Sequence, residues 1–247
     1  MKILVCMSNV PDTTTKVRFT ENNTTLDISG IQWVINPWDE LALTRAIELK
    51  EAGAVSRVDV INVGSSLTEA TLRKALAVGA DGAFRIDANP GDAYETAALL
   101  AGWIQQHPYD LILSGIESSD FNSSAVGVMA AEMAGLPSIS SVTRLEVEGG
   151  QLLLQREIEG GQQKLKAATP FLAVVQKGIA IEPRIPAMRG IMMARQKPLE
   201  VIPSSGAEKK SRVLSYHLPQ PKGACKMLDS DQPDQLFQLL HEEAKVL

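Results

Sequence analysis

Three observations predict an α/β fold for this 247-residue chain: a Rossmann-like parallel sheet with an added antiparallel meander and a C-terminal arm. Short apolar runs of strand length alternate with amphipathic helical patterns as far as Gly135. Three alternating segments separated by Gly-Gly turns follow. A polar, proline-bearing stretch then precedes one last amphipathic helix.

Four apolar runs read as buried parallel strands: Lys2–Met7, Arg57–Val63, Ala83–Ile86 and Asp110–Ser114. Each leads to a helical pattern. The first runs from about Trp38 to Ala52, with Ala42, Leu43, Ala46 and Ile47 on one face and Gly53 at its C-terminal end. The second begins at Ser66 with Glu69 three residues on, a capping-box spacing, and turns Leu72, Ala75 and Leu76 inward. The third opens at Asp92 with Glu95 in the same relation and aligns Ala93, Ala97, Leu100 and Ile104. The fourth is expected from Ser123 or Ser124 to Ala134, with Val126, Met129, Ala130 and Met133 as its stripe. Alternation of this kind implies right-handed βαβ units and helices on both faces of the sheet.

Beyond Gly135, Ser140–Glu148, Gln151–Glu157 and Gln162–Ala168 read as a meander, and Phe171–Gln176 as a further strand. That strand delivers the chain into residues 182–198, EPRIPAMRGIMMARQKP. Pro183, Pro186 and Gly190 argue against a long helix through the first half of this segment. Its Ile and Met side chains either tuck into the core or form a docking surface. Methionine adapts to differently shaped pockets, and the flanking arginines would attract acidic patches. Residues 204–231 read as a linker, and Gln235–Val246 as an amphipathic helix with Leu236, Leu239 and Leu240.

Composition excludes several classes of function. Hydrophobic content of 45% and charged content of 21% are those of a soluble globular protein with a sizeable core. A net charge of −5 argues against a general nucleic-acid binder and an anionic membrane target. No apolar run approaches the ~20 residues of a bilayer span, so direct membrane insertion is not expected. The two cysteines, Cys6 and Cys225, make neither a disulfide framework nor a metal site, and suit a reducing compartment. Met1 leads directly into a strand pattern without a signal sequence, so a cytoplasmic location is expected.

In open α/β sheets, ligands bind beyond the carboxyl ends of the strands, where helix N-termini direct positive charge at anions. Four places converge there: Cys6 to Asn9, Val63 to Ser65, the run from Gly115 onward, and Asn36-Pro37-Trp38-Asp39 at the start of the first helix. The segment from Gly115 to Gly127 is the richest, with Asp120, Asn122, Ser123, Ser124 and the amides of Ala125 and Val126. These groups would cradle a phosphate, or the Ser and Asn would merely cap the helix. Neither a G-x-G-x-x-G nor a P-loop is present. His107, His217 and His241 lie away from the strand ends, in a turn, the linker and the last helix, where solvated surface roles are expected. No catalytic residues are expected: the chain is equipped to hold a nucleotide and poorly equipped to transform one.

Six blocks, in order, carry a resemblance to the β subunit of electron transfer flavoproteins over nearly the whole chain. They are the N-terminal strand, Asn36-Pro37-Trp38-Asp39-Glu40, the run from Thr71 to Asp81, the Gly115–Gly127 loop, Arg156-Glu157-Ile158-Glu159-Gly160-Gly161 with Pro170 downstream, and Glu182-Pro183-Arg184. The chain departs from the family's pattern in having Ala173 where a larger aliphatic is usual, Trp38 for Phe and Thr13 where many members have Tyr. It also lacks the Asn-Gln-Thr common in AMP-binding members. The resemblance implies an adenine-nucleotide-binding fold of universal stress protein-like type, and an electron carrier rather than an enzyme. It implies FAD held mainly by an α subunit, and AMP bound structurally by this subunit through Cys6, Asn36 to Asp39, Val63 and the Leu111–Val126 segment. Trp38 would lie near the α subunit's flavin. A bifurcating variant would place a second FAD in the same site; a stand-alone nucleotide sensor or an adenylyl-transferring enzyme would be of another class.

The implied partners are the α subunit, flavin dehydrogenases such as acyl-CoA dehydrogenases, and a downstream quinone oxidoreductase. In the family's pattern Glu157 pairs with an α-subunit arginine. Met188 takes the place of the leucine that anchors a partner-recognition loop, residues 184–193, which includes Arg184, Ile185, Arg189, Ile191 and Met192. The expected organisation is a nucleotide-binding domain over 1–203 with this loop, then a linker and a C-terminal helix over 204–247 that docks on the α subunit.

Overall fold

A computed structural model describes residues 1–246. In chain order the strands are β1 (Lys2–Cys6), β2 (Asn9–Pro11), β3 (Phe19–Thr20), β4 (Thr25–Leu26), β5 (Trp33–Ile35), β6 (Arg57–Gly64), β7 (Gly82–Asp87) and β8 (Leu111–Gly115). They continue with β9 (Ser138–Glu148), β10 (Gln151–Ile158), β11 (Gly161–Ala167), β12 (Phe171–Val175) and β13 (Leu199–Pro203). The helices are α1 (Pro37–Glu51), α2 (Glu69–Val78), α3 (Ala93–Ile104), α4 (Val126–Ala134), α5 (Met188–Ala194) and α6 (Pro233–Glu242).

One sheet organises them, in the order β11-β10-β9-β12-β8-β1-β6-β7-β13. Every pairing from β9 to β13 is parallel, and β9, β10 and β11 form the antiparallel meander. Strand β1 shows why both faces are covered. Its Ile3 and Val5 point into a core shared with Leu43 and Ile47 of α1 and Leu72 and Leu76 of α2. Its Leu4 and Cys6 point into a second core with Leu100 and Trp103 of α3 and Ala130 of α4. Truncating such a fully buried leucine costs about 2–5 kcal/mol, so the two apolar layers fix the sheet's register.

The helix starts explain the departures from the sequence reading. Asp92 caps α3 as expected, accepting from Glu95 N at 2.8 Å, while Glu95 reaches back to Gly91 N at 2.7 Å. The expected cap at Ser66 does not form. Extended backbone at Ser65 starts a short 3₁₀ turn over Ser66–Thr68 instead, and α2 begins only at Glu69. Helix α4 begins at Val126, not at Ser123 or Ser124, because Asn122 and Ser124 take left-handed φ of 49°. The last helix spans Pro233–Glu242 rather than Gln235–Val246. Strand β13 and the small pairs β2–β5 and β3–β4 go beyond the sequence reading. No helix among the described residues is long and apolar enough to cross a membrane.

Helix α5 is the main correction to the 182–198 segment. The prolines do prevent a long helix, but seven residues from Met188 wind one short one against α2. Arg73 of α2 donates to the carbonyls of Ala194 (2.9 Å) and Lys197 (2.8 Å). Lys197 in turn donates to the carbonyls of Leu76 and Ala80, which end α2. Gly190 lies so close to the Ala77 carbonyl that a side chain there would collide with backbone.

Two glycine-to-alanine changes check this packing. Gly102→Ala in α3 has nothing within 4 Å of the added methyl and should stabilise by about 0.5–1 kcal/mol. Gly190→Ala should destabilise by about 1–3 kcal/mol as α5 is forced off α2. Urea midpoints that shift in the same direction would contradict the packing of α5.

Candidate functional site

Strand order reverses beside β1: the chain builds outward through β6 and β7, then returns to place β8 on the other flank. The crevice beyond the carboxyl ends of β1 and β8 is therefore the topological switch point, where such sheets hold ligands. Cys6 ends β1 in register with Ser114 of β8 and Ile61 of β6. Half-buried Val63 lies two residues beyond Ile61.

The start of α1 is sewn across this crevice. Buried Asp39, in the first turn, accepts from Ser8 N through Oδ2 (2.7 Å) and from Gly115 N through Oδ1 (2.9 Å). Buried Asn36 donates to Glu117 O (2.8 Å) and accepts from Ser119 N (3.2 Å). Gly115 must lack a side chain, since a Cβ would lie 2.7 Å from Trp38 Cβ and run into Asp39 Oδ1. Pro37 is exposed and Trp38 half-buried beside them. Asn36 to Asp39 and the Gly115 loop thus form one hydrogen-bonded unit.

The loop from Ile116 to Ala125 carries the remaining nominated groups. Asn122 N donates to Ser118 O, and exposed Asp120 accepts from Phe121 N at 2.9 Å. Ser124 donates its hydroxyl to Glu117 Oε2 at 3.0 Å. Neither Ser123 nor Ser124 caps α4: Ala125 occupies the N-cap with no side-chain hydrogen bond. The first intrahelical bond of α4 runs from Met129 N to Ala125 O, which leaves the amides of its first turn open. Plain capping therefore does not account for the serines. A helix start with free amides and hydroxyls beside it is an anion-binding arrangement.

Two groups of this region were not singled out by the sequence reading. Glu117 holds Ser124 and, through its carbonyl, Asn36. Asn62, buried near the end of β6, donates to Met7 O at 2.8 Å, while its Oδ1 has no protein donor. Asn62 was visible as the one amide in an apolar run; Glu117 carried no such signal. Two open hollows, of about 460 and 390 Å3, lie elsewhere, on the meander and on the Thr14–Gln32 loop.

The groups nominated for partner contact form a second region. Arg184 is held by Thr44 Oγ1, which accepts from its amide at 3.0 Å, and by an ion pair to Glu51 at 2.8 Å. Beyond it, Ile185 (88%), Met188 (74%) and Met192 (67%) are largely exposed, as is Ile181 at 98%. Arg189 and Ile191 are also exposed. These exposures exclude the core reading of the segment. Glu157 stands apart on β10, where its carboxylate accepts from Gln176.

Burial sets the chemistry of the switch point. It pushes the Cys6 thiol up to about 12, with the charge of Asp39 adding to the effect, so Cys6 remains a neutral thiol. Burial also lifts the Asp39 carboxyl to about 7, against the hydrogen bonds from Ser8, Asn36 and Gly115 that pull it down. His107 is exposed but ordered, stacked on Trp103 at 4.1 Å.

A raised folded-state pKa means that the folded chain binds this proton more tightly than the unfolded chain. Asp39 therefore contributes stability below about pH 4 that is lost as pH rises toward about 7. Asp39→Asn should flatten that slope in denaturant titrations across this range. It should also cost about 1–3 kcal/mol throughout, because one of the two amides loses its acceptor.

Comparisons with known proteins identify the family. The family model described as "Electron transfer flavoprotein domain" matches residues 24–206. The chain is similar to the electron transfer flavoprotein subunit beta of Bacillus subtilis (strain 168), with 34% identity over 261 residues and full coverage of both chains. The subunit beta of Syntrophomonas wolfei is 34% identical over 236 residues, covering 95% of this chain and 92% of its own. That of Homo sapiens is 31% identical over 208 residues, covering 82% and 81%. The matched span holds the start of α1, Val63, the loop that follows Gly115 and the exposed α5 segment, and the chain belongs to the electron transfer flavoprotein family as a β subunit.

Proposed function

We propose that this subunit pairs with an electron transfer flavoprotein α subunit, binds AMP structurally at its switch point, and presents α5 to the dehydrogenases and the quinone oxidoreductase between which electrons pass. The observation that carries the nucleotide reading is the uncapped start of α4. Ser123 and the amides of Ala125 and Val126 would take the phosphate, with Ser124 exchanging its bond to Glu117 for one to the nucleotide. Cys6 and Val63 would line the wall of the site, and Asn36 to Asp39 would close its floor. AMP so placed stabilises the fold by mass action and takes no part in redox chemistry.

FAD, held mainly by the α subunit, supplies the electron-carrying chemistry. This chain's contribution is positional. Trp38, half-buried at the start of α1, would be the aromatic group that faces that cofactor. Glu157, on β10 of the meander, would meet an arginine of the α subunit. The α5 segment offers apolar side chains on a backbone already fixed by Arg73, Lys197 and Arg184, so docking orders little and release is quick. A cytoplasmic setting is part of the same reading.

Denaturing the purified heterodimer and counting what it releases tests the nucleotide. About one FAD and one AMP per dimer is expected; two FAD and no AMP would replace the AMP reading with the bifurcating one. Met188→Ala should weaken electron exchange with a dehydrogenase about tenfold or more, the size of a modest interface hot spot. Flavin content and melting temperature should be unchanged. A stability loss of about 2–5 kcal/mol would instead show that Met188 supports the packing of α5 rather than a partner contact.

A further inference from the structure

The chain does not leave its domain at Pro203. Ala207 packs against the core beneath α3 and α4. Lys210 N and Ser211 N then donate to Asp92 Oδ2 at 2.7 and 2.6 Å, and Ser211 Oγ joins them at 3.2 Å. The other oxygen of the same carboxylate caps α3 through Glu95 N. The Lys210 ammonium lies 5.3 Å from the centroid of the Tyr94 ring. Farther on, Tyr216 lies flat on Phe19, with centroids 4.7 Å apart and planes within 6°, and its amide donates to Asn23 O at 2.7 Å. From His217 to Gln238 every residue but Leu228 is exposed, and α6 buries none of its side chains although Leu236, Phe237, Leu239 and Leu240 are apolar.

We propose that residues 204–216 are a strap fastened to the sheet domain at two points, Asp92 and the β3–β4 hairpin, so that the arm left for a partner to capture begins at His217. Asp92 acts as the latch because one carboxylate serves both α3 and the strap, and neither can shift without disturbing the other. The hydrogen bond from Glu95, followed by those from the strap, holds its carboxyl at about 2, which keeps the latch charged at neutral pH. The latch shortens the tether. Fastened at both points, 16 residues from His217 to Gln232 lead to α6; released at both, 29 residues from Ser204 do so. Effective concentration falls roughly as the −3/2 power of tether length, so releasing the strap should weaken capture of α6 about two- to threefold. The identity of that partner, the α subunit, rests on the reading above; the latch does not.

Hydrogen exchange on the isolated full chain tests the latch. The amides of Lys210, Ser211 and Tyr216 should exchange at least about tenfold more slowly than those of residues 218–230. Asp92→Ala should bring Lys210 and Ser211 to the fast rate. Because it also uncaps α3, Ser211→Pro is the companion variant: it removes a strap donor and leaves the Asp92–Glu95 cap intact. It should likewise free Lys210 while α3 keeps its protection. Wild-type exchange at 210–216 as fast as at 218–230, or protection that survives both variants, would overturn the latch. Binding to the α subunit then separates the two readings. Each variant is combined with Tyr216→Ala for this measurement, because the Tyr216–Phe19 stack would otherwise keep the arm starting at His217. Weaker capture in both double variants supports the tether role, and unchanged capture despite lost protection overturns it. No binding by wild type would refute the pairing while the exchange data still decide the latch.

Discussion

The carboxylate of Asp39 is the interaction on which the architecture of the switch point depends. It accepts from the amide that follows β1 and from the last residue of β8, strands that lie side by side but are over a hundred residues apart in sequence. A parallel sheet offers nothing at its carboxyl edge to hold two such ends together, because the ladder stops there. Asp39 supplies the missing pair of acceptors from the first turn of α1, where the helix dipole favours a negative charge. Burying that charge opposes it and raises its pKa. The position is a compromise between desolvation and two amides that have no other acceptor. The bare Gly115 that lets Asp39 approach follows from the same geometry.

Much of the fold was legible because buried parallel strands and two-faced helices leave strong patterns. The four early strands, the α3 cap at Asp92 and the Gly-Gly turns of the meander all declared themselves locally. Tertiary ties decided what was missed. The left-handed residues before α4 are held by Asn122 to Ser118 and by Ser124 to Glu117, and propensity alone carries neither. Helix α5 exists because Arg73 and Lys197 stitch it to α2, and β13 is a short, largely exposed strand whose only sheet neighbour is β7. At the site, Asn36 and Asp39 were legible as a helix start. Their convergence with Cys6 to Asn9 and the run from Gly115 was legible too, but not which amides they bond: Ser8 lies 31 residues from Asp39 and Gly115 lies 76 away.

The two exposed apolar features of the chain differ in how they are held. The α5 segment is clamped at both ends, by the Arg184 ion pair and by the Arg73 and Lys197 carbonyl bonds, so its exposed Ile and Met side chains stand on fixed backbone. Helix α6 instead ends a polar tether and buries none of its side chains. On the proposed reading these are two kinds of contact, brief at α5 and lasting at α6. A rigid anchor loses little entropy on docking and can bind weakly with speed, whereas a tethered helix must bury a continuous apolar face to offset its ordering.

That difference gives Asp92 its weight. A carrier subunit that must stay with one partner while meeting others in turn needs its permanent contact kept away from its transient one. Fastening the strap at the start of α3 and on the β3–β4 hairpin gives the arm a fixed origin at His217, whereas α5 is held separately on α2. A free tether from Ser204, at the end of the edge strand β13, could swing α6 to either face and cover the apolar side chains of α5. The strap therefore does for the arm what Asp39 does for the sheet: one buried or bridging carboxylate converts neighbouring chain ends into a defined geometry.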